Sequence, residues 1–201
     1  MGAPGFAFGV AALPCRGETE TGDRHVLATF AGGALVAAID ALGHGPEAAR
    51  AANVAARTLV RYARESPVAL AARCHAEMHG TRGAAMSLAS FDWRGQTLSW
   101  IAVGNITGVL MHAEADVEPR VQRLLLRGGV VGDRLPELRA ETMPVLRGDT
   151  LILATDGVRE EFTEILPVAM SPEPLAQRIL RDYGRTDDDA MVVVFSCDGA
   201  V

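Results

Sequence analysis

The stretch Ala37-Ala38-Ile39-Asp40-Ala41-Leu42-Gly43-His44-Gly45-Pro46-Glu47 organises the chain. An apolar run, Ala34 to Ile39, ends in a carboxylate at Asp40. Being nearly all apolar, the run reads as a strand buried on both faces. A Gly-His-Gly turn follows, and Pro46 after Gly45 fits a helix start with proline in the first turn. Glu47 favours the positive helix N-terminus. Ala49, Ala52, Ala56, Leu59, Val60 and Ala63 recur at helical spacing through Arg64, and so many alanines imply close packing on a sheet. Asp40 therefore sits where a strand stops, at a rigid edge from which a carboxylate can project into a cleft.

Upstream, Phe6 to Leu13 is read as a strand ended by Pro14, and His25 to Phe30 as a second. Ala31-Gly32-Gly33 supplies a tight turn into the central strand. Downstream, Pro67 to about Met78 is a second helix, closed by Gly80. Gly83 to Phe91, Gln96 to Val103 and Gly108 to Ala113 read as three consecutive strands, and Val121 to Leu126 as another. Gly132 to Glu137 is a loop. Glu141 to Leu146 is expected to pair with Thr150 to Ala154 across Arg147-Gly148-Asp149. Val158 to Ile165 is predicted as a short helix, Pro174 to Tyr183 as another ended by Gly184, and Ala190 to Phe195 as the last strand. No repeat, linker or boundary stands out, so residues 1–201 are read as one domain. Runs of hairpin-connected strands favour antiparallel sheets with helices packed outside, an α+β layered domain.

The chain has 201 residues, 49% of them hydrophobic, enough for one well-buried core. No window reaches ~18 consecutive apolar residues, so no transmembrane helix is expected. Met1-Gly2-Ala3-Pro4-Gly5 has no basic region before its apolar residues, which argues against a signal peptide. Cys15, Cys74 and Cys197 lie far apart, which suggests reduced thiols in a cytosolic protein. The formal net charge is -6, and all 19 basic residues are Arg. The absence of Lys excludes a Walker lysine or a Schiff base. The acidic balance argues against nucleic-acid binding.

Four acids share one kind of position. Asp40 follows Leu35 to Ile39, and Asp156 follows Leu151 to Thr155. Asp187-Asp188-Asp189 comes just before Met191 to Phe195, and Asp23 just before His25 to Phe30. Any one of them is as well explained by ordinary turn chemistry. Together, antiparallel strands could bring them to one edge, where close carboxylates repel and need cations. Hard oxygen ligands suit Mg2+ or Mn2+. Asp40 is then the candidate bridge between two ions, and at least one acid of Asp187–Asp189 is a solvated loop residue.

Asp40-Ala41-Leu42-Gly43-His44-Gly45 resembles the Asp-Gly-x-Gly-His-Gly motif of the metal-dependent type 2C protein phosphatases, in their bacterial SpoIIE-like branch. Ala154-Thr155-Asp156-Gly157-Val158 resembles that branch's Thr-Asp-Gly motif, Asp188 to Val193 its terminal strand, and Gly22-Asp23 its early acidic motif. Small size and the stretches Thr81 to Met86 and Gly104-Asn105-Ile106 look most like the RsbX-like phosphatases of stressosomes. The resemblance implies a sandwich of two antiparallel sheets flanked by helices, with two Mn2+ or Mg2+ ions at one end. Asp40 would bridge them, Asp156 and Asp188 would hold one, and the Ala41 carbonyl the other, with Asp23 nearby. It also implies a phosphoserine or phosphothreonine protein phosphatase in the cytoplasm, acting on phosphorylated STAS-domain proteins. The substrate would be a stressosome scaffold or, alternatively, an anti-sigma factor antagonist. A weakly active or inactive docking module is the competing class.

Three departures from the family pattern bear on this reading: Ala41 stands where Gly is usual, Met191 where Thr is usual, and Gly22 where many relatives carry an acid. In such a mechanism an activated water attacks phosphorus without a covalent intermediate, and a proton donor helps the leaving oxygen. His44 is the nearest candidate donor, and equally a residue that only shapes the turn. Arg16 and Arg82 are candidates to hold the phosphate, since a guanidinium can bind two oxygens.

Other chemistries are weaker. Cys74 lacks a glycine-rich phosphate loop. His75 and His79 could chelate from one helical face, but read better as exposed polar positions. Ser87 and Ser99 lie in strands, outside any nucleophile elbow. Gly128 to Gly132 is not followed by a clear helix. Trp93 and Trp100 flank a turn, where they could pack or face a partner.

Overall fold

The computed structural model describes residues 4–114, 117, 119–164, 166 and 170–200. Met1 to Ala3 and Ile165, the end of one predicted helix, lie outside the described residues. The elements are β1 (Pro4–Leu13), β2 (Asp23–Phe30), β3 (Gly33–Ala41), α1 (Gly45–Arg61), α2 (Pro67–Glu77), β4 (Ala84–Asp92), β5 (Thr97–Val103), β6 (Thr107–Met111), β7 (Val121–Arg123), β8 (Glu141–Pro144), β9 (Thr150–Ala154), a 3-10 turn (Glu160–Glu164), α3 (Pro172–Tyr183) and β10 (Ala190–Ala200).

The strands form two antiparallel five-stranded sheets, in the orders β2-β3-β4-β5-β8 and β1-β10-β9-β6-β7. The period-two alternation of a strand sorts β3 between two cores. Leu35, Ala37, Ile39 and Ala41 pack against Ala48, Ala52, Ala55 and Leu59 of α1 and Leu70 and Cys74 of α2. Val36 and Ala38 point the other way, into the core between the sheets, with Phe91, Trp100, Leu153, Val193 and Phe195. Every residue from Ala34 to Ile39 is fully buried, because helices cover one face and the second sheet covers the other. On the far side of the second sheet, Leu175, Ala176 and Ile179 of α3 rest on Ile152, Ala154, Val192 and Val194. The order is helices, sheet, sheet, helix, as the family resemblance implies.

Two expectations are corrected. Asp40 does not follow its strand, nor does Asp23 precede one. Pairing runs on through Asp23↔Asp40 and Ala41↔Ala84, so both acids belong to strands. The segments around Arg147-Gly148-Asp149 do not form a hairpin. β8 pairs with β5 in one sheet, whereas β9 lies between β10 and β6 in the other. The buried Asp149 carboxylate explains this crossing. It accepts from Leu146 N at 2.9 Å and Ala113 N at 3.0 Å and bonds His112 Nδ1 at 2.9 Å. The turn is thus held by a side chain and by backbone bonds between Gly148, Asp149 and Cys197 of β10, and not by pairing of β8 with β9. Smaller differences lie at element ends: β7 stops at Arg123, the segment after Asp156 is a 3-10 turn, and β10 extends to Ala200.

Candidate metal centre

Asp23 and Asp40 lie directly opposite each other on β2 and β3. Directly opposed residues share a face, and Val36 and Ala38 show that Asp40 continues the face between the sheets. The parity of β3 therefore delivers a carboxylate where the inter-sheet core runs out. From the second sheet, Thr155 and Asp156 follow β9, and Asp188 and Asp189 precede β10. Gly157 lets these two ends meet: a Cβ there would fall 2.0 Å from the Asp189 carbonyl oxygen. Thr155 N also donates to Met191 O at 3.0 Å.

Each sheet holds an acid of the other. The Thr155 hydroxyl donates to Asp23 Oδ2 at 2.7 Å and accepts from Met191 N at 2.8 Å. Asn105, in the bend after β5, donates from Nδ2 to Asp156 Oδ2 at 2.6 Å. Asp23 Oδ1 remains buried with no hydrogen-bond partner. Burial, and then the charges of Asp23, Asp156 and Asp188, push the Asp40 carboxyl up to about 8. Burial chiefly, with Asp189, Asp156 and Asp188 adding, pushes Asp23 up to about 7 against the Thr155 hydrogen bond. Asp188 is raised by burial first and then by Asp156, Asp189 and Asp187. Among the described residues no three acid, histidine or cysteine side chains close on one point. The acids line an edge and influence one another across it.

The terminal acids have separate roles. Asp187 is exposed, as expected of a loop acid. Asp189 is buried and structural: its carboxylate accepts from Cys15 N at 2.8 Å and Gly22 N at 2.7 Å, tying the β1–β2 connection to β10. Asp188 is half-buried and accepts from Asp189 N at 2.9 Å.

The departures at Ala41 and Gly22 have simple geometry. Gln96 is the single described non-glycine residue at positive φ, so Ala41 needs no left-handed backbone. A Cβ on Gly22 would come within 2.8 Å of Ala48 Cβ and 3.2 Å of Ala41 O. An acid at residue 22 would therefore have to displace α1. Met191 is core, at 1% exposure.

His44 is the N-cap residue of α1 but makes no side-chain cap bond. Its Nδ1 bonds Glu18 Oε1 at 2.8 Å, and the side chain is 53% exposed. Arg82 lies with Nη1 against Gly43, while Nε and Nη2 are engaged by Glu47 at 2.9 and 2.5 Å. Arg16 is exposed, and its backbone N–H bonds Thr186 O beside the terminal acids.

The competing constellations are structural. The buried Cys74 thiol is pushed up to about 12 by burial, which removes it as a nucleophile at neutral pH. His75 Nδ1 accepts from Gly132 N, while His79 is exposed. Trp100 is fully buried and donates to Ser87 Oγ at 2.9 Å, and Trp93 stacks on Phe91. Both tryptophans therefore pack. Among the described residues no helix is long and apolar enough to cross a membrane.

Sequence reasoning missed Thr155, Asn105 and Glu18 as partners of the predicted residues. Thr155 was findable, because it shares the inward parity of Leu151 and Leu153 and precedes an acid. Asn105 lies in the Gly104-Asn105-Ile106 stretch that carries the resemblance, but neither it nor Glu18 has a local signal for its partner, which each reaches only through the fold.

The sequence model of the family described as Stage II sporulation protein E (SpoIIE) matches residues 31–198. No curated protein sequence matches the chain. Among solved structures, one reported as "The bacterial stressosome: a modular system that has been adapted to control secondary messenger signaling" is 29% identical; 95% of this chain and 99% of that chain are covered, with a TM-score of 0.86. RsbX in complex with magnesium is 19% identical, with 98% and 99% covered and a TM-score of 0.81. The catalytic domain of the serine/threonine protein phosphatase PstP in complex with two manganese ions is 18% identical, with 95% and 97% covered and a TM-score of 0.65. The motifs, the sandwich and the extent of the family match agree, and the chain belongs to the SpoIIE family of metal-dependent type 2C protein phosphatases.

Proposed function

We propose that the chain is a cytoplasmic phosphoserine/phosphothreonine phosphatase that uses two divalent ions, Mn2+ or Mg2+, and acts on phosphorylated STAS-domain regulators of the stressosome. The observation that carries the metal reading is Asp23 Oδ1, buried without a partner among carboxyls that raise one another. A buried acceptor left unpaired costs about 1–3 kcal/mol, and a cation offsets that cost together with the repulsion. Asp40 would hold both ions, Asp156 and Asp188 one, and the Ala41 carbonyl with Asp23 the other. When bound, such ions activate water toward phosphorus and offset charge on the phosphoryl oxygens.

The remaining roles belong to the chain. Thr155 fixes the Asp23 carboxylate and Asn105 that of Asp156, so neither must be ordered when metal arrives. Glu18 fixes the His44 ring at the mouth of the Asp40–Gly45 loop, where an N–H could protonate the leaving oxygen. Arg82, beside Gly43, is the better placed of the two candidate arginines to meet phosphate, if Glu47 releases it.

The stressosome assignment rests on the 29% identical stressosome structure and on the likeness to RsbX. It is tested by mixing the protein with phosphorylated STAS scaffold and antagonist proteins, with Mn2+ or chelator, and following phosphate loss by mass spectrometry. Metal-dependent loss from the scaffold is expected, and Asp40→Asn should abolish it while leaving the fold intact. Loss from the antagonist alone would move the protein to anti-sigma regulation. Full activity of Asp40→Asn would end the two-metal reading.

A further inference from the structure

A cleft of about 530 Å3 opens beside Asp156, between the β6–β9 end of the second sheet and the 3-10 turn. Asn105 and Asp156 form part of its wall, so it is continuous with the acid edge. Its volume lies within the range of ligand sites, and its lining is charged. Two arginines reach it, and they differ. The Arg123 guanidinium is committed to Thr163 Oγ1. Arg185 is pinned by its backbone, with N donating to Gly157 O at 2.7 Å. Its side chain is exposed and, among the described residues, makes no ion pair or hydrogen bond. The residue next to the Asp156–Gly157 turn thus presents an uncommitted guanidinium into the cleft. On the 3-10 turn, Glu160 is engaged by the Thr107 hydroxyl at 3.2 Å, while Glu161 and Glu164 leave that wall acidic.

We infer that this cleft receives the segment of substrate polypeptide flanking the phosphorylated residue, and that Arg185 is a specificity-determining residue that takes an acidic side chain of that segment. The inference rests on the phosphatase reading. A chain with its phosphate at the acids must leave the site through adjoining space, and this cleft shares Asp156 with that site. Arg185 attracts an acid close to the phosphorylated residue. Glu161 and Glu164 repel one further along, so the cleft sorts segments by the order of their charges.

The test uses phosphoserine peptides in which a single Glu or Lys is moved from three residues before to three residues after the phosphoserine. Rates are measured with Mn2+, and p-nitrophenyl phosphate serves as the small-molecule control. At one position or more, the wild-type protein should prefer Glu over Lys by about three- to five-fold in kcat/KM, the range of a partly exposed charge pair. Arg185→Glu should reverse that preference, and Arg185→Gln should bring the ratio close to one. Because the readout is a ratio, a general change in activity does not move it. An active wild type with equal rates at every position, or Arg185→Glu with the wild-type preference, overturns this inference alone. A wild type inert toward every peptide and toward p-nitrophenyl phosphate overturns the phosphatase reading itself.

Discussion

The acid edge should make the metal-free protein less stable as pH rises, and Asp40→Asn should reverse that. In the folded chain the Asp40 carboxyl lies at about 8, against an ordinary value of 3.8. Between those values the unfolded chain releases a proton that the folded chain keeps, so stability falls as pH rises from about 4 to about 8. At pH 8 a shift of that size corresponds to about 5–6 kcal/mol for Asp40 alone. Asn removes the charge but keeps a polar amide in a half-buried site, at a cost of about 1–3 kcal/mol. A net gain of about 2–5 kcal/mol remains, which in a chain of this length raises Tm by about 4–20 °C. The assay is thermal unfolding in chelator at pH 4, 6 and 8, for the wild type and the variant. The difference should be largest at pH 8 and fall below zero at pH 4, where the electrostatic gain is nearly gone and the cost of the amide remains. Saturating Mn2+ should raise the wild-type Tm at pH 8 and leave Asp40→Asn nearly unmoved. A difference that is constant with pH, or a variant less stable than wild type at pH 8 in chelator, would refute the electrostatic account.

Removing the hydrogen bond on Asp156 with Asn105→Ala should weaken Mn2+ binding about 10- to 100-fold, read by isothermal titration calorimetry, with little change in metal-free Tm. Gly157→Ala forces a Cβ into the Asp189 carbonyl, and a backbone clash of this kind should cost about 3 kcal/mol, seen as a lower denaturant midpoint. If His44 donates the proton, His44→Ala should slow substrates with poor leaving groups about 100-fold and spare nitrophenyl phosphate; equal slowing of both would leave His44 a turn residue.

The fold was largely legible because its signals are local. Residues 34–39 announced a doubly buried strand, the alanine spacing announced α1, and Ala31-Gly32-Gly33 fixed the β2–β3 turn. The Arg147–Asp149 turn was misread because its sequence suits a hairpin. What carries the chain across to the other sheet is the Asp149 carboxylate, whose partners His112 and Ala113 are distant in sequence. At the site, acids at strand ends could be seen as a pattern, but their division of labour could not. Asp188 and Asp189 are adjacent and chemically identical. The fold turns Asp189 inward to Cys15 and Gly22 and leaves Asp188 at the edge.

That division explains why the site needs both sheets. A single sheet could place Asp23 against Asp40, but their repulsion would then have only solvent to relieve it. In the sandwich, Thr155 crosses from the second sheet to bind Asp23, and Asn105 crosses from the first to bind Asp156. Neither bond neutralises charge, and Asp23 Oδ1 stays unpaired even so. The two bonds align the acids and leave their repulsion in place, and the apolar cores on either side of each sheet supply the stability that tolerates it. A cation shared across the edge would tie the same two sheets a third time. A substitution that loosens either cross-sheet bond should therefore weaken metal binding without touching a ligand.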